Sequence, residues 1–353
     1  MRGMGAHDEH VFVGCYTGET GGEGEGITLL RRDAATGDLT RLGLAARTPS
    51  PSFLVQHPRL PVLYAVNELE QGTVSAFAVA EDGSLTPLGV RSTGGSAPCH
   101  LAVSSDERHL LVANYVSGSV SVHELDGTGT PGERTDLLDL HGHGPVADRQ
   151  EAAHAHMVLP DPHSAEVLVS DLGSDRVWRT RLDPVSGRLT LVGPALVAEP
   201  GTGPRHLLRS SGGLLRMVGE LSGELSWYRP DPAGVLRKAG AATTSSDKSN
   251  QPSELVTGRD ERFVYVANRG PDTVSVFAWE PEGATLVAEV AAGGSWPRHL
   301  ALLADHLYVA NERSHTVAVF RIDPDSGLPE PQGEPVVESS PTCILRWNTV
   351  RVS

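Results

Sequence analysis

Four residues with ionisable side chains fall at positions that vary between the copies of an internal sequence repeat, and together they could bind an anion and transfer a proton. They are His156, Arg205, Glu220 and Arg269. A carboxylate or a neutral imidazole can accept a proton from water. Guanidinium groups can bind an anion, or the negative charge that develops on an oxygen atom during a reaction. The four residue types therefore predict acid–base chemistry next to an anion-binding site.

Alignment of the repeat copies with one another singles these residues out, because they differ from their equivalents. The position directly after one β-rich segment varies among the seven copies, which carry Tyr16, Glu68, Tyr115, Leu172, Glu220, Arg269 and Glu312. The two positions after a recurring proline also vary, and the copies carry Ser52-Phe53, Cys99-His100, Ala155-His156, Arg205-His206, Ser253-Glu254, Arg298-His299 and Thr342-Cys343. The scaffold explains what the copies share, so the residues that differ are the candidates for function.

The candidates divide into two groups. The four residues named first are assigned to catalysis, and substrate binding is expected of five neighbours: His206, His154, His100, Arg298 and Glu254. The alternative for any single repeat histidine is a structural role, in which a polar group on an innermost strand bonds to a loop or to water. This alternative applies most to His100 and His299. Glu68 and Glu312 are expected to be salt-bridged or solvated.

The repeat also predicts the elements that must hold these side chains. A short apolar segment, introduced by proline in every copy but one, begins at Pro51, Pro98, His154, Pro204, Pro252, Pro297 and Pro341. Two alternating runs such as LYAVNE and TVSAF follow, and then a glycine-containing turn such as those at 33–37, 183–187 and 323–327. Alternation indicates half-buried strands, and glycine supplies the positive φ that tight turns require.

Four short strands in each repeat are the signature of a β-propeller. We therefore predict an all-β fold in which residues 1–353 form a single seven-bladed propeller with four-stranded antiparallel blades. The last apolar segment, at Pro341, is followed by the end of the chain. At the other end, HVFVGCYTG at 10–18 matches the second strand of a repeat copy, but no first strand precedes it. The last blade is expected to join N- and C-terminal strands, which closes the ring and leaves no exposed sheet edge.

Composition excludes several classes of partner. The formal net charge of −15 argues against nucleic acid and anionic membranes, because both require a basic surface. The N-terminal residues contain no apolar signal-peptide core and no stretch approaches a membrane span, so a cytoplasmic protein is expected. Three cysteines without a CxxC pair predict reduced, buried thiols. The sequence gives no indication of oligomeric state.

The sequence contains neither a glycine-rich nucleotide-binding motif followed by a helix nor a GxSxG motif, so we expect no cofactor and no covalent catalysis. The segment LHGHGPVADRQEAAHAH lengthens one interval of the repeat and contains His141, His143, His154 and His156. Its alternate spacing lacks the i, i+4 pair or CxxC hairpin of strong metal motifs. We therefore favour a glycine-rich loop at a pocket entrance over a metal site.

Five segments spread over nearly the whole chain carry a family resemblance: VGCYTG, HAHMVLPDP, GTGPRHL, GELSGELSWY and VANRGPDTVSVF. Their combination resembles the seven-bladed β-propeller lactonase family, which includes propeller-type 6-phosphogluconolactonases and the fungal carboxy-cis,cis-muconate cyclase. The resemblance implies a site built from the second histidine of HAH, the arginine of GPRHL, the glutamate after the next strand and the arginine of NRG. These are His156, Arg205, Glu220 and Arg269, the residues that the repeat alignment selects.

The resemblance implies metal-independent hydrolysis of a small anionic sugar lactone, first of all 6-phosphogluconolactone of the pentose phosphate pathway. Glu220 or His156 would act as general base, and Arg205 and Arg269 would bind the oxyanion or the phosphate. One alternative keeps the site but forms or opens a muconolactone. The other is a non-catalytic propeller that binds proteins, with an exposed patch on one rim and a channel of mutually satisfied polar groups. An aromatic content of 5% argues against it.

Overall fold

Seven antiparallel sheets form the structure, a computed structural model that describes residues 8–232, 234–258, 260–280 and 283–348. In chain order the strands are β1 (Asp8–Cys15), β2 (Gly26–Asp33), β3 (Leu39–Arg47), β4 (Leu54–Gln56), β5 (Val62–Asn67), β6 (Thr73–Val79), β7 (Leu85–Ser92), β8 (Pro98–Val103), β9 (His109–Asn114), β10 (Ser119–Leu125), β11 (Pro131–Asp139), β12 (Ala155–Pro160), β13 (Glu166–Asp171), β14 (Arg176–Leu182), β15 (Leu189–Val197), β16 (Pro204–Arg209), β17 (Leu215–Gly219), β18 (Glu224–Pro230), β19 (Leu236–Thr243), β20 (Gln251–Thr257), β21 (Phe263–Arg269), β22 (Thr273–Glu280), β23 (Gly283–Ala291), β24 (Pro297–Leu303), β25 (His306–Asn311), β26 (Thr316–Ile322), β27 (Pro329–Pro331), β28 (Val336–Val337) and β29 (Pro341–Arg346). A single 3₁₀ turn lies at Gly18–Thr20. No helix in the described ranges is long and apolar enough to cross a membrane.

The seven sheets are the blades of a propeller, as predicted. Blade 1 contains β4–β7, blade 2 β8–β11, blade 3 β12–β15, blade 4 β16–β19, blade 5 β20–β23, blade 6 β24–β28, and blade 7 β29 with β1–β3. The first strand of each blade contacts the first strands of its neighbours, so these seven strands surround the axis. Blade 6 differs slightly, because two short strands, β27 and β28, share its outer position and both pair with β26.

Blade 7 joins the two ends of the chain, which confirms the predicted closure. Strand β29 pairs antiparallel with β1, from Val11 opposite Arg346 to Cys15 opposite Pro341. Beyond the strand, the Trp347 amide donates to the His10 carbonyl at 2.9 Å. Each of the seven inner strands therefore has an antiparallel partner within its own blade, and the pairing with β29 covers the edge of β1 that would otherwise be exposed.

The apolar core lies between neighbouring blades. Between blades 6 and 7, for example, Val11 and Val13 pack with Tyr308 and Val317. A four-stranded blade cannot bury its apolar faces alone, and stacking against the next blade supplies the missing cover. The three cysteines are free and buried, in agreement with the sequence.

The predicted turns follow the expected chemistry. The glycines that close the three segments at 33–37, 183–187 and 323–327 have φ values of 78°, 66° and 71°, which other residues adopt only with strain. In the first of them, the Gly37 amide donates to the Asp33 carbonyl at 2.7 Å, and the Asp33 carboxylate accepts from the amide of Ala35 at 2.8 Å.

The inner strands are irregular at the positions that vary between copies. In six of the seven, the pairing register shifts beside the proline position, as between Pro204 and Leu207 of β16 and between Pro98 and His100 of β8. An extra residue in one strand of a pair bends that strand and redirects its side chains. The irregularity in β16 falls at Arg205 and His206, and both side chains contact residues of other blades.

The closure leads to a prediction about truncation. Removal of residues 337–353 deletes β29, exposes the edge of β1 and opens the ring, so we expect insoluble protein or a strongly lowered melting temperature. Removal of residues 349–353 leaves every residue of β29 in place and is the matched control. A soluble, cooperatively melting protein without β29 would contradict the closure.

Candidate active site

The buried carboxylate of Glu220 lies among three guanidinium groups near the axis. Its Oε2 atom accepts from Arg205 Nη1 at 2.5 Å and is 2.7 Å from Arg269 Nη2, although this second ion pair lacks the alignment of a hydrogen bond. Its Oε1 atom accepts from Arg149 Nη2. Glu220 is only 2% exposed. We call these four residues the basic cluster, since three positive charges surround one negative charge.

The backbone places these groups at the same height. Glu220 follows β17, and its amide donates to the Gly203 carbonyl at 2.9 Å, just before β16 begins. Arg269 ends β21 at the equivalent position of the next blade, and its Nε donates to the Gln251 carbonyl at 3.1 Å. The Nε of Arg205 donates to the Ser253 carbonyl at 2.9 Å. Each buried arginine is thus oriented by a main-chain carbonyl before it contacts Glu220.

The basic cluster determines the protonation state of its members. Burial alone would raise the pKa of the Glu220 carboxyl, but the charges of Arg269 and Arg205 hold that pKa well below its usual value. Burial also lowers the pKa of Arg269, to about 10. Both groups therefore remain charged at neutral pH. A carboxylate held in this way is a weak base until one of the guanidinium groups moves to another anion.

His156 adjoins the basic cluster and is neutral. Its Nε2 atom accepts from Arg205 Nη1 at 2.7 Å, because a guanidinium group can only donate. The ring proton consequently resides on Nδ1, which is buried without a hydrogen-bond partner within the protein. Burial, followed by the charge of Arg205, lowers the pKa of His156 well below its usual value. The imidazole thus serves as an acceptor that fixes the Arg205 side chain.

Arg149 is the member of the cluster that the repeat alignment did not select. It belongs to the segment that lengthens the interval between blades 2 and 3, and its side chain is 32% exposed. The adjacent Gln150 is fully buried and anchors this segment, since its Nε2 atom donates to the Leu172 carbonyl and to Asp175 Oδ1, each at 2.8 Å. The insertion therefore contributes a charge to the basic cluster, and its role at a pocket entrance stays a prediction.

His154, which we expected to bind substrate, instead joins this segment to blade 2. Its ring stacks on Tyr115, with centroids 4.7 Å apart, and its Nδ1 atom lies 2.9 Å from the Tyr115 carbonyl. Its Nε2 atom lies 3.1 Å from Glu151 Oε1. The Tyr115 hydroxyl in turn accepts from Arg149 at 3.3 Å. His154 and Tyr115 thus support Arg149 from outside the basic cluster.

Four other predicted residues form two further groups around the axis. His206 Nδ1 is 3.0 Å from Glu254 Oε1, and His299 Nε2 is 3.4 Å from Glu254 Oε2. The His100 ring lies against Phe53, with centroids 4.3 Å apart. Arg298 belongs to a separate group on the blade 6 side, where it donates to the Tyr16 hydroxyl. These contacts place His206, Glu254 and Arg298 near the axis but outside the basic cluster.

The histidines of the insertion do not converge. His141 and His143 are exposed, whereas His154 and His156 are buried in the separate contacts described above. In the ranges that the structure describes, no group of three or more His, Cys, Asp or Glu side chains is arranged to hold a metal ion.

A surface cavity of about 490 Å³ lies away from these groups, where loops of blades 5 and 6 meet near Arg346. Its lining includes Arg262, Phe263 and Asp323, and none of the predicted site residues. Arg262 is already bonded there to the carbonyls of Pro324 and Asp325. The lining of the cavity does not bring several guanidinium groups to one buried carboxylate, as the basic cluster does.

Glu254 leads to a prediction about stability and pH. Burial would raise the pKa of its carboxyl, but His206 holds it at about 2, below the value of about 4.3 in an unfolded chain. The ionised carboxylate therefore stabilises the fold above about pH 4, and this contribution is lost as the pH falls towards 2. The melting temperature of Glu254→Gln should differ most from wild type near neutral pH and converge with it below pH 4. A difference that is constant with pH would contradict the assignment.

Comparisons with known proteins agree with this architecture. The model of the family described as "Lactonase, 7-bladed beta-propeller" matches residues 10–346. A 6-phosphogluconolactonase of Bacillus subtilis is 30% identical over 94% of this chain and 97% of its own length. The solved structure of a periplasmic gluconolactonase from Pseudomonas aeruginosa is 28% identical, with a TM-score of 0.88 over 96% of this chain and 99% of its own. The chain is a member of the seven-bladed β-propeller lactonase family.

Proposed function

We propose that this protein hydrolyses an anionic sugar lactone, with 6-phosphogluconolactone as its substrate, and that the basic cluster is the catalytic centre. The observation that carries the proposal is the convergence of Arg149, Arg205 and Arg269 on the single buried carboxylate of Glu220. The names of similar proteins, 6-phosphogluconolactonase and gluconolactonase, support the same class of substrate.

The proposed reaction adds water to the lactone carbonyl carbon. A base takes one proton from the water, the new C–O bond forms, and the carbonyl oxygen becomes an oxyanion. Collapse of this intermediate breaks the bond between the carbonyl carbon and the ring oxygen, which receives the proton and becomes a hydroxyl. The products are a carboxylic acid and an alcohol on one open chain. No electron transfer is involved.

Arg205 and Arg269 are placed to stabilise the oxyanion. Both guanidinium groups approach the same oxygen of Glu220, so two positive charges lie beside one point. Main-chain carbonyls hold both side chains in place before substrate arrives. Donors that are already oriented contribute more to a transition state than donors that must reorganise. Arg149 is more exposed than either and would bind the phosphate at the entrance.

We assign the general base to Glu220 rather than to His156. Protonation of His156 would place a second positive charge beside Arg205, in a buried position where Nδ1 already has no partner. Protonation of Glu220 removes a buried charge, which becomes favourable once the substrate's own negative charge attracts the guanidinium groups. Substrate binding would thereby convert Glu220 from a paired carboxylate into a usable base.

The two alternative functions are weaker. A non-catalytic scaffold predicts a channel whose polar groups satisfy one another, whereas Nδ1 of His156 and Nδ1 of His100 are buried without partners in the protein. A muconolactone enzyme would use the same basic cluster, so only its substrate would distinguish it from the proposed sugar lactonase. A cytoplasmic location and a role in the pentose phosphate pathway stay predictions, and one similar protein is named as periplasmic.

The first test of the proposal is substitution of the base and of one oxyanion ligand. Glu220→Gln should lower kcat for 6-phosphogluconolactone by about 10²- to 10⁴-fold, and Arg205→Ala by about 10²- to 10³-fold, after the spontaneous rate is subtracted. Glu166→Gln, which removes a carboxylate from a half-exposed ion pair with Arg179 on blade 3, is the control and should retain wild-type activity. Circular dichroism and melting curves establish that the variants are folded. Wild-type hydrolysis by folded Glu220→Gln and Arg205→Ala proteins would exclude the proposed centre.

The second test concerns Arg149. A charge-assisted hydrogen bond to phosphate is worth enough to change binding by about 10-fold or more. Arg149→Gln should therefore raise KM for 6-phosphogluconolactone at least 10-fold more than KM for unphosphorylated glucono-1,5-lactone, and Arg149→Lys should restore part of the difference. An equal effect on the two lactones would show that Arg149 does not bind the phosphate.

A further inference from the structure

A second charged cluster lies on the blade 6, 7 and 1 side of the axis, and the mechanism above gives it no role. Arg298 Nη2 donates to the Tyr16 hydroxyl, which donates to Glu68 Oε1 at 2.9 Å. The same guanidinium group lies 3.7 Å from Glu68 Oε2 and 3.7 Å from Glu312 Oε2. We call these four residues the acidic sector, because two carboxylates share one guanidinium group.

The acidic sector contains acceptors that the protein does not satisfy. Oε2 of Glu68 and Oε2 of Glu312 are both buried atoms without a hydrogen-bond partner in the protein, since Arg298 is too far from either to bond. The hydroxyl of Ser52, 4% exposed, also has no partner. The backbone brings Ser52 towards Glu68, because the carbonyl of the next residue, Phe53, accepts a hydrogen bond from the amide of Val66, two residues before Glu68. Buried acceptors of this kind favour a ligand that brings hydroxyl donors.

Position and access relate the acidic sector to the catalytic centre. Glu68 and Glu312 occupy the repeat position of Glu220, directly after the second strand of blades 1 and 6. Ser52 occupies the repeat position of Arg205. Side-chain exposures of 16% for Arg298, 18% for Glu68 and 19% for Glu312 show that part of each side chain faces solvent, although the two Oε2 atoms themselves are buried. The two groups therefore lie on different sides of the axis, after equivalent strands of the ring.

The two sides also differ in charge. The basic cluster has three guanidinium groups and one carboxylate, and the acidic sector has one guanidinium group and two carboxylates. An anionic group of a ligand is attracted to the first and repelled by the second. A ligand with an anion at one end and several hydroxyl groups elsewhere satisfies both sides together.

We propose that Glu68, Glu312 and Ser52 form a subsite that accepts hydrogen bonds from the hydroxyl groups of the lactone, while Tyr16 and Arg298 hold the two carboxylates in place. The subsite makes the enzyme selective for polyhydroxylated lactones over lactones without hydroxyl groups, such as a muconolactone. The inference rests on the proposed lactone hydrolysis and extends it from the reacting group to the rest of the substrate. A site built to bond substrate hydroxyls discriminates strongly against analogues that lack them.

The test compares two six-membered lactones, glucono-1,5-lactone and δ-valerolactone, of which only the first has hydroxyl groups. Glu68→Gln and Glu312→Gln should each reduce kcat/KM for glucono-1,5-lactone at least 10-fold more than kcat/KM for δ-valerolactone, mainly through KM. Glu25→Gln is the matched control, because Glu25 pairs with exposed Arg47 near Thr17 on the same face. It should change both values less than about twofold. Equal losses on the two lactones, or no loss, would overturn the subsite.

Failure of the subsite and failure of the proposed reaction are distinguishable. If wild type hydrolyses neither these two lactones nor 6-phosphogluconolactone above the spontaneous rate, the proposed reaction is wrong. Whenever the two uncharged lactones are not hydrolysed, titration calorimetry with gluconate tests the subsite alone. Wild type should bind gluconate about 10-fold more tightly than Glu68→Gln or Glu312→Gln. Equal affinity in the three proteins, or no binding to wild type, would overturn the subsite independently of catalysis.

Discussion

The burial of one carboxylate among three guanidinium groups is the interaction on which the rest of the site depends. Glu220 comes from blade 4, Arg269 from blade 5 and Arg149 from the segment between blades 2 and 3. Removing one partner of a buried charge pair leaves an uncompensated charge, at a typical cost of about 3–5 kcal/mol. Because its members come from separate parts of the chain, the packing of neighbouring blades holds the cluster together, and this couples the architecture to the chemistry.

The propeller repeat explains how such a cluster is assembled from distant parts of the chain. Arg205, His206 and Arg298 occupy the variable positions of their inner strands and contact residues of other blades. The register of six inner strands shifts beside these positions, which redirects the side chains there. The second strand of each blade ends at the same height, and the residue that follows it lies near the axis. Variation at these positions turns a uniform ring into one with a basic side, containing Arg205, and an acidic side, containing Glu68.

Much of this arrangement could be predicted from sequence, because the seven copies of the repeat can be aligned with one another. The seven blades, the joining of the two ends and the proximity of His156, Arg205, Glu220 and Arg269 all follow from comparing equivalent positions. Arg149 could not be found in this way, since the insertion has no equivalent in other blades, and only its extra length marked it. Protonation states were also out of reach, because they depend on burial and on distances between blades.

On this proposal, an anionic substrate displaces the guanidinium groups from Glu220 and so makes it a base. A crystal structure of the protein with bound 6-phosphogluconate would show this displacement. We expect an anionic group of this product in contact with Arg205 and Arg269, a longer separation between Arg205 and Glu220 than the present 2.5 Å, and hydroxyl groups facing the acidic sector. Product bound elsewhere, or bound with the contacts of Glu220 unchanged, would contradict it.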